Sequence, residues 1–316
     1  METILEVKNL NITFQDMIGE LKAVNDLSFA IRKGEILSLI GESGSGKSVT
    51  AKAIMRLLEG GKTSGSLLFH GKDLFRMKEK EVCRLRGTKI SMIFQEPMTA
   101  LNPVVKVGTQ LEEVFRIHKI GTKDQNHRKM IETLKVLNIS HPEELLEKYP
   151  FELSGGLRQR IVIAMAVICE PELIIADEPT TALDVTTQME TLLLLKKVAS
   201  RIGSAVLLIT HDLGVVAECA DRVIVMYRGR KMEECKVNEF FFHAEHPYSR
   251  GLIASRPSNF NGRYHTISGN VEQNYGEMKG CPYRNRCESC TEKCKSEFPG
   301  ESLIAENHTV SCWNID

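Results

Sequence analysis

The sequence feature that most constrains the fold is the segment Gly41–Ser48, which fits the pattern G-x-x-x-x-G-K-[ST]. A short apolar run, Ile36–Ile40, precedes it and is typical of a buried strand, and a helical pattern follows from Lys47 to about Leu58. Glycines let such a loop curl so that backbone N–H groups point at phosphate oxygens, and the helix adds its positive dipole end. The context therefore predicts a nucleotide-binding loop rather than an ordinary glycine-rich turn.

Further apolar runs indicate an α/β fold with a parallel sheet. Lys89–Phe94, Leu173–Ala176 and Ala205–Thr210 are short runs of the buried type, and helical patterns separate the last two, as parallel βαβ units require. The N-terminal stretch Leu5–Phe14 instead alternates polar and apolar residues, which predicts antiparallel strands with one solvated face. Between Pro97 and Leu153 the sequence is helical and more charged, which predicts an inserted helical subdomain.

Two acidic residues, Asp177 and Glu178, follow one of these buried strands directly. Ligands collect at the carboxyl edge of a parallel sheet, so Asp177 is placed to hold Mg²⁺ and Glu178 to polarise an attacking water as general base. In the phosphate loop, Lys47 can reach the β- and γ-phosphates and the Ser48 hydroxyl can ligate Mg²⁺. A solvated acidic turn is the plain alternative, but the phosphate loop in the same chain favours nucleotide chemistry.

The segment Leu153–Arg160 indicates the family. Ser154 is a natural N-cap, and the glycines at 155 and 156 leave bare N–H groups for a second phosphate. The sequence carries one phosphate loop, so a second set of phosphate-binding N–H groups predicts an ATP site that another subunit completes. The segment resembles the signature sequence of ATP-binding cassette (ABC) ATPases. The resemblance implies a P-loop NTPase fold with a RecA-like parallel sheet core, antiparallel N-terminal strands and an inserted helical subdomain.

The remaining ABC elements occur in the family's order. Gln95 resembles the Q-loop glutamine, and His211 resembles the switch histidine that senses the γ-phosphate. Thr181–Asp184 resembles the D-loop at the dimer seam, and Phe14 matches the position that stacks on adenine, although a strand Phe is more often a core residue. The resemblance implies catalytic roles for Glu178, His211 and Gln95, Mg²⁺ ligation by Ser48, Gln95 and Asp177, and ATP contacts from Phe14, Gly41, Ser43, Gly44, Gly46, Lys47, Ser48, Val49, Ser154, Gly156 and Asp184.

Three further segments resemble the ATP-binding subunits of oligopeptide, dipeptide and nickel importers. They are the long Q-loop segment Phe94–Pro103, the short motif His246–Leu252 and a cysteine-containing C-terminal extension. The resemblance implies ATP hydrolysis at a dimer interface that powers peptide import, with nickel or a metal chelate as the alternative cargo. It also implies a second, related ABC ATPase subunit, two transmembrane permease subunits, an extracytoplasmic solute-binding protein and a peripheral position at the cytoplasmic face of the membrane.

The cysteines of the extension are the candidate ligands of a metal centre. The spacings of Cys281, Cys287, Cys294 and Cys312 differ from the paired C-x-x-C arrangement of zinc ribbons. The family resemblance implies that these four thiolates hold a 4Fe–4S cluster. Cys290 departs from the pattern, because with Cys287 it forms a C-x-x-C pair that would favour zinc or supply a substitute ligand. Unmetallated thiols are the third interpretation.

The composition and the lengths of the apolar runs indicate which domains to expect and which classes of protein do not fit. The chain has 316 residues, of which 42% are hydrophobic, enough for a sizeable core. Its apolar runs fall short of the roughly 18 residues that cross a bilayer, and the N-terminus lacks a signal-peptide pattern. We expect a cassette at residues 1–255, with its helical subdomain at about 97–155, and an extension at 256–316. The extension is too polar to bury a core of its own. We therefore expect a cross-link to stabilise its fold, and the cysteine cluster is the candidate.

Two other classes of protein fit less well. Soluble ABC ATPases of translation or DNA repair place two cassettes in one chain or insert a long coiled coil, and this sequence shows neither pattern. A nucleic-acid-binding module in the basic stretch between Tyr283 and Lys295 is weakened by Glu288 and Glu292 and by a formal net charge of +0. We therefore expect no nucleic-acid partner. The resemblance to these importers implies that an extracytoplasmic binding protein and the membrane channel select the cargo, and this sequence encodes neither of them.

Overall fold

The computed structural model describes residues 2–95, 100–180, 185–256, 267–271, 275–276 and 279–315. They belong to two units, each built from several chain segments. Unit 1 comprises Met1–Ile4, Arg32–Ile36 and Arg76–Leu208, and unit 2 comprises Leu5–Ile31, Leu37–Phe75 and Ile209–Asp316. The boundaries of cassette, helical subdomain and extension stay predictions.

Each apolar run that the sequence analysis identified as a strand, and the alternating N-terminal stretch, forms a strand in the structure. The runs that begin at Ile36, Leu173 and Ala205 form strands buried at every residue, which is typical of a parallel sheet covered on both faces. In chain order the strands are β1 Thr3–Gln15, β2 Glu20–Arg32, β3 Ile36–Ile40, β4 Lys62–Phe69, β5 Lys72–Asp73, β6 Ile90–Ile93, β7 Leu173–Asp177, β8 Ala205–Ile209, β9 Arg222–Tyr227, β10 Arg230–Lys236, β11 Ser302–Ala305 and β12 His308–Val310.

The other regular elements of the described residues are helices. Within the described residues, every helix is too short or too polar to span a lipid bilayer. In chain order the helices are α1 Lys47–Ile54, α2 Glu79–Leu85, α3 Val107–His118, α4 Lys123–Val136, α5 Pro142–Glu147, α6 Gly155–Val167, α7 Val185–Ile202, α8 Leu213–Cys219, α9 Val237–His243, α10 Pro247–Ala254 and α11 Glu292–Ser296, with 3₁₀ turns at Pro150–Glu152 and Arg284–Arg286.

Helix α1 ends earlier than the sequence predicts, at Ile54 instead of about Leu58. Arg56 adopts a left-handed backbone with φ of 52°, and the N–H groups of Arg56 and Leu57 donate to the carbonyl groups of Ala53 and Lys52. This pair of hydrogen bonds is a Schellman motif, which normally uses glycine. The prediction failed because an arginine gives no sequence signal for such a helix end.

Unit 1 contains the expected helical segment. Helices α3 to α5 occupy it, and α3 buries Val107, Leu111 and Phe115, spaced four residues apart along one face. Strands β8, β7 and β6 follow one another in that order, with β6 parallel to β7. Residues 96–99 of the predicted Q-loop segment lie outside the described residues.

Unit 2 contains the expected antiparallel strands. They form a four-stranded sheet in the order β2, β1, β4, β5, and β1 pairs antiparallel with β4 from Leu5 opposite Phe69 to Thr13 opposite Lys62. The register shifts between Lys8 and Asn11, as at a β-bulge. The prediction of antiparallel N-terminal strands is confirmed.

The extension adds strands to unit 2 that the sequence analysis did not predict. Strand β9 is parallel to β3 and antiparallel to β10, and β12 pairs antiparallel with β10, with Val310 opposite Glu233. Strand β11 then pairs with β12. The C-terminal residues thus continue the sheet that begins next to the phosphate loop.

Three tyrosine rings join the extension to the core of unit 2. Tyr227 ends β9, Tyr248 lies in α10, and Tyr283 precedes the 3₁₀ turn of the extension. The centroid of the Tyr227 ring lies 4.7 Å from that of Tyr248 and 5.3 Å from that of Tyr283. All three side chains are buried. The extension therefore shares an apolar core with the rest of unit 2, in addition to any staple that its cysteines provide.

Replacing Tyr283 by alanine should lower the free energy of unfolding by about 3 kcal/mol, because it leaves a cavity between two buried rings. Tyr283→Phe retains the ring and should cost less than about 1.5 kcal/mol. Urea denaturation of both variants measures the difference. An unchanged unfolding midpoint in Tyr283→Ala would show that the extension does not share this core.

Candidate functional site

Two glycines let the phosphate loop approach neighbouring strands of unit 2. Gly41 has φ of 147°, and a Cβ atom there would collide with the carbonyl oxygen of Met226 on β9. Gly46 has φ of 99° and caps α1, and a Cβ atom there would collide with the carbonyl oxygen of Ala23 on β2. A side chain fits at neither position, so both glycines are required by the backbone and not only by the motif.

The ammonium group of Lys47 is held inside the loop. Lys47 is 6% exposed, and its Nζ donates to the carbonyl oxygens of Gly41 at 2.7 Å and Glu42 at 2.9 Å and to Ser45 Oγ at 3.1 Å. Ser48 and Val49 follow in the first turn of α1 and are half-buried. The loop thus presents one cation and a helix N-terminus together, which suits a phosphate group.

A cavity of about 410 Å³ lies beside the loop in unit 2. This volume is within the range of small-ligand pockets. Five residues that the family resemblance assigns to ATP line it together, namely Phe14, Ser43, Gly44, Gly46 and Val49.

Five further residues that line this cavity were missed by the sequence analysis, namely Leu21, Lys22 and Ala23 on β2 together with Arg228 and Val271. Arg228 lies in the turn between β9 and β10, and Val271 lies in the extension, so each is far along the chain from the phosphate loop. Neither residue belongs to a motif that could have indicated the contact.

The acidic strand end in unit 1 carries two differently placed carboxylates. Asp177 is the last residue of β7 and is 4% exposed, whereas Glu178 is half-buried and has φ of 45°. A left-handed backbone at a glutamate costs roughly 1 kcal/mol and is typical of functional sites. Gln95 Nε2 donates to Glu178 Oε2 at 3.1 Å. The structure therefore brings together two of the three residues predicted to take part in catalysis.

The signature segment is tied to the same strand end within unit 1. Ser154 caps α6, and its Oγ accepts the N–H of Leu157 at 3.4 Å, as predicted. Gly156 lies in the first turn, and a Cβ atom there would lie 3.2 Å from Thr187. The buried Gln159 side chain donates to the carbonyl oxygen of Pro179, the residue after Glu178. The capped helix and the carboxylate segment thus share one hydrogen-bonded framework.

The remaining predicted residues are placed as follows. His211 lies two residues beyond β8 and is exposed. Asp184 and the rest of the segment Thr181–Asp184 lie outside the described residues.

The four cysteines predicted as ligands line one small cavity in unit 2, which we call the thiol cavity. They are Cys281, Cys287, Cys294 and Cys312. All nine cysteines lie among the described residues, and none of them forms a disulfide bond there. Among the described residues, Cys290 does not line this cavity but lies beside Cys294, whose thiol helps to raise its pKa, after burial. The four predicted cysteines therefore line one cavity together, and Cys290 lies next to one of them.

Burial and backbone groups act in opposite directions on these thiols. Burial, the largest effect, raises the pKa of Cys281 to about 12 and also raises the pKa of Cys287 and Cys312. A backbone N–H group beside each of the three thiols lowers its pKa. The donors are Tyr283, Ser289 and Asn314, respectively. Burial outweighs these donors, so the net effect at each of the three thiols is a raised pKa.

A buried polar group in unit 2 was not indicated by the sequence. Glu233, Cys235 and His308 place one potential metal-ligand atom each within 4.8 Å of one another. The Glu233 carboxylate, however, accepts the backbone N–H groups of Glu245 at 2.9 Å and His246 at 3.1 Å and contacts His308 Nε2 at 2.7 Å. Burial strongly raises the pKa of the Cys235 thiol. The group thus holds the turn before α10 against β12.

The buried imidazole of His246 caps helix α10. Its Nδ1 accepts the N–H of Tyr248 at 3.0 Å, and it is 1% exposed. Burial, followed by the charge of Arg250, lowers the pKa of His246 to about 3. The cap therefore uses a neutral imidazole.

Two family models match the chain. The model described as "ABC transporter" matches residues 24–181, which include the phosphate loop and the acidic strand end. The model described as "Oligopeptide/dipeptide transporter, C-terminal region" matches residues 232–294, which include three of the four cysteines that line the thiol cavity.

The chain is also similar to curated proteins and a solved structure over long stretches. It is 46% identical to the dipeptide transport ATP-binding protein DppD of Bacillus subtilis, covering 100% of this chain and 96% of that protein. It is 45% identical to the oligopeptide transport ATP-binding protein OppD of Salmonella typhimurium, covering 95% and 90%. The dimeric, post-hydrolysis structure of the ATP-binding cassette MJ0796 with ADP and Pi is 29% identical, with a TM-score of 0.66, covering 74% of this chain and 99% of that one.

The buried His246 predicts an acid-dependent loss of stability. Its pKa falls from 6.5 to about 3 on folding, so between these values the unfolded chain binds a proton that the folded chain does not. The free energy of unfolding should therefore decrease as the pH falls through this window, by at most about 1.4 kcal/mol per pH unit.

His246→Asn retains an acceptor for the cap but does not titrate, so its stability should fall less steeply with pH. Urea midpoints measured between about pH 7 and about pH 4 test this. His127→Asn, at an exposed histidine, is the matched control and should leave the slope unchanged. Equal slopes in all three proteins would contradict a neutral, buried His246.

Proposed function

The chain belongs to the ABC transporter family of ATP-binding proteins, and we propose that it is the ATP-hydrolysing subunit of a peptide importer. The observation that carries the proposal is the match to peptide-transport ATP-binding proteins over the whole chain, including the C-terminal region specific to them. Oligopeptides or dipeptides are the proposed cargo, and nickel or a metal chelate is the second candidate.

Lys47, Ser48 and the loop backbone bind the phosphates of ATP, and the cavity beside Phe14 takes the adenosine part. The existing contacts of Lys47 with loop oxygens support this role, since they keep the cation at the helix start. Mg²⁺ would be held by Ser48, Gln95 and Asp177, whose oxygen atoms suit that ion, and it would neutralise phosphate charge.

Glu178 acts as the general base of hydrolysis. It accepts a proton from water as the water oxygen bonds to the γ-phosphorus, and the bond from that phosphorus to the β–γ bridging oxygen breaks to leave ADP and phosphate. The hydrogen bond from Gln95 supports this role because it orients the carboxylate. By the family resemblance, we assign the contact with the γ-phosphate to His211.

Ser154, Gly156 and Asp184 act on the nucleotide of a second, related ABC subunit. The exposed, capped start of α6 supports this role, since its free N–H groups are available to an external phosphate. Two permease subunits and an extracytoplasmic solute-binding protein complete the proposed importer. The chain acts at the cytoplasmic face of the membrane, with residues 1–255 as the cassette and 256–316 as its extension.

We further infer that the thiol cavity holds a 4Fe–4S cluster. The four cysteines and the N–H groups that face their sulfur atoms support this assignment. Cys281, Cys287, Cys294 and Cys312 would be the ligands, and the cluster would staple the extension. Zinc is the alternative occupant.

Replacing Glu178 by glutamine should lower ATP turnover by about 10²–10³-fold while ATP binds within about threefold of the wild-type affinity, because the base is lost but the phosphate contacts remain. Single-turnover hydrolysis and ATP-binding assays measure the two effects. Uptake of radiolabelled di- and oligopeptides by cells that carry this variant in place of the wild-type chain should be lost.

Glu172→Gln is the matched control, because Glu172 pairs with Lys89 in the same unit and lies five residues before Asp177. It should hydrolyse ATP and support uptake normally. Wild-type single-turnover hydrolysis by Glu178→Gln would remove Glu178 from the mechanism. Nickel uptake in place of peptide uptake would favour the second cargo.

Anaerobic purification or reconstitution should yield iron and acid-labile sulfide in equal amounts, and Cys312→Ser should lose both, because it removes one of four ligands. Cys290→Ser should retain both, since Cys290 does not line the cavity among the described residues. Metal analysis and EPR of the reduced protein measure the result. Zinc without sulfide would contradict the cluster assignment.

A further inference from the structure

The extension makes a direct ion pair with the phosphate loop. Arg286 lies in the 3₁₀ turn between Cys281 and Cys287, and Glu42 is the second residue of the loop. Arg286 Nη1 donates to Glu42 Oε2 at 2.6 Å, and Nη2 donates to Glu42 Oε1 at 3.0 Å. This is the bidentate arrangement, in which geometry as well as charge fixes both partners.

The guanidinium of Arg286 is fully engaged and nearly buried. Besides the two bonds to Glu42, Nε donates to the carbonyl oxygen of Ser268 at 2.8 Å, Nη1 to the hydroxyl oxygen of Tyr227 at 3.2 Å and Nη2 to the carbonyl oxygen of Ile267 at 3.3 Å. The Arg286 side chain is 5% exposed and that of Glu42 is 30% exposed. Every N–H donor of the guanidinium thus has an acceptor, unlike a mobile surface pair.

Glu42 is joined to the same neighbours through its backbone. Its N–H donates to the hydroxyl oxygen of Tyr248 at 2.9 Å, and its carbonyl oxygen accepts a hydrogen bond from Lys47 Nζ at 2.9 Å. A continuous set of contacts therefore runs from Arg286 through Glu42 to the ammonium group of Lys47. Val271 of the extension also lines the cavity beside the loop.

We propose that Arg286 of the extension is a positioning residue for the phosphate loop, which fixes Glu42 and so sets the affinity for ATP. The inference rests on the proposed role of Lys47 in binding ATP. Arg286 touches no substrate in this scheme. It acts by holding the loop in the conformation that keeps the Lys47 ammonium at the start of α1, so its loss weakens ATP binding more than the chemical step.

The test measures the KM for ATP and the kcat of Arg286→Ala and Arg286→Lys in the full-length chain. Arg286→Ala should raise the KM by about tenfold and change kcat by less than about twofold, since the position of the phosphate loop affects the binding of ATP more than its hydrolysis. Arg286→Lys should give an intermediate rise in KM, because lysine retains the charge but cannot pair in the bidentate manner. Where Arg286→Ala does not fold, the lysine variant decides the outcome.

A double-mutant cycle with Glu42→Gln assigns the effect to this pair. If Arg286 acts through Glu42, Arg286→Ala combined with Glu42→Gln should raise the KM no further than Arg286→Ala alone. Lys295→Ala is the matched control, because it removes another 2.6 Å ion pair of the extension, with Glu292, whose side chains are 58% and 89% exposed. It should leave the KM unchanged.

The outcomes separate this inference from the proposed function. An unchanged KM in Arg286→Ala and Arg286→Lys, with or without a lower melting temperature, overturns the positioning role and reduces the pair to a structural contact. Additive effects in the cycle overturn the route through Glu42. Lys47→Ala tests the ATP site itself: if it retains wild-type ATP binding the proposed function fails, and if it loses binding while the Arg286 variants are normal only this inference fails.

Discussion

The close approach of the phosphate loop to strands β2 and β9 is the constraint on which the rest of unit 2 depends. Glycine is required at Gly41 and Gly46 because the carbonyl oxygens of Met226 and Ala23 occupy the space of a side chain. With the backbone fixed in this way, the Lys47 ammonium reaches three oxygens of the loop, and α1 begins at the same place. The loop is therefore a rigid element to which other parts of the unit attach.

The parts of the site that could be predicted are those that a few adjacent residues form by themselves. The phosphate loop, the N-cap Ser154 and the acidic residues at the end of β7 each need particular residue types at fixed short spacing, because capping, phosphate binding and metal ligation impose that spacing locally. The four cysteines were recognised by family resemblance, and the structure brings them to one cavity.

The parts that could not be predicted join residues distant in the chain. The hydrogen bond between Gln95 and Glu178 spans 83 residues, and the ion pair between Arg286 and Glu42 spans 244. Local periodicity carries no information on such pairs, since it reports which face of an element is buried but not what covers it. The same reason explains why Val271 and the strands β11 and β12 were missed.

The ion pair between Glu42 and Arg286 has a consequence for recombining segments of related proteins. A hybrid that joins residues 1–255 of this chain to a tail without an arginine at the position of Arg286 would leave the Glu42 carboxylate without its cation, beside the hydroxyl groups of Tyr227 and Tyr248. Grafting this tail onto a cassette without a carboxylate at the position of Glu42 would conversely leave the guanidinium of Arg286 without its acceptor. The phosphate loop and the tail should therefore be transplanted together, although they are 244 residues apart in the chain.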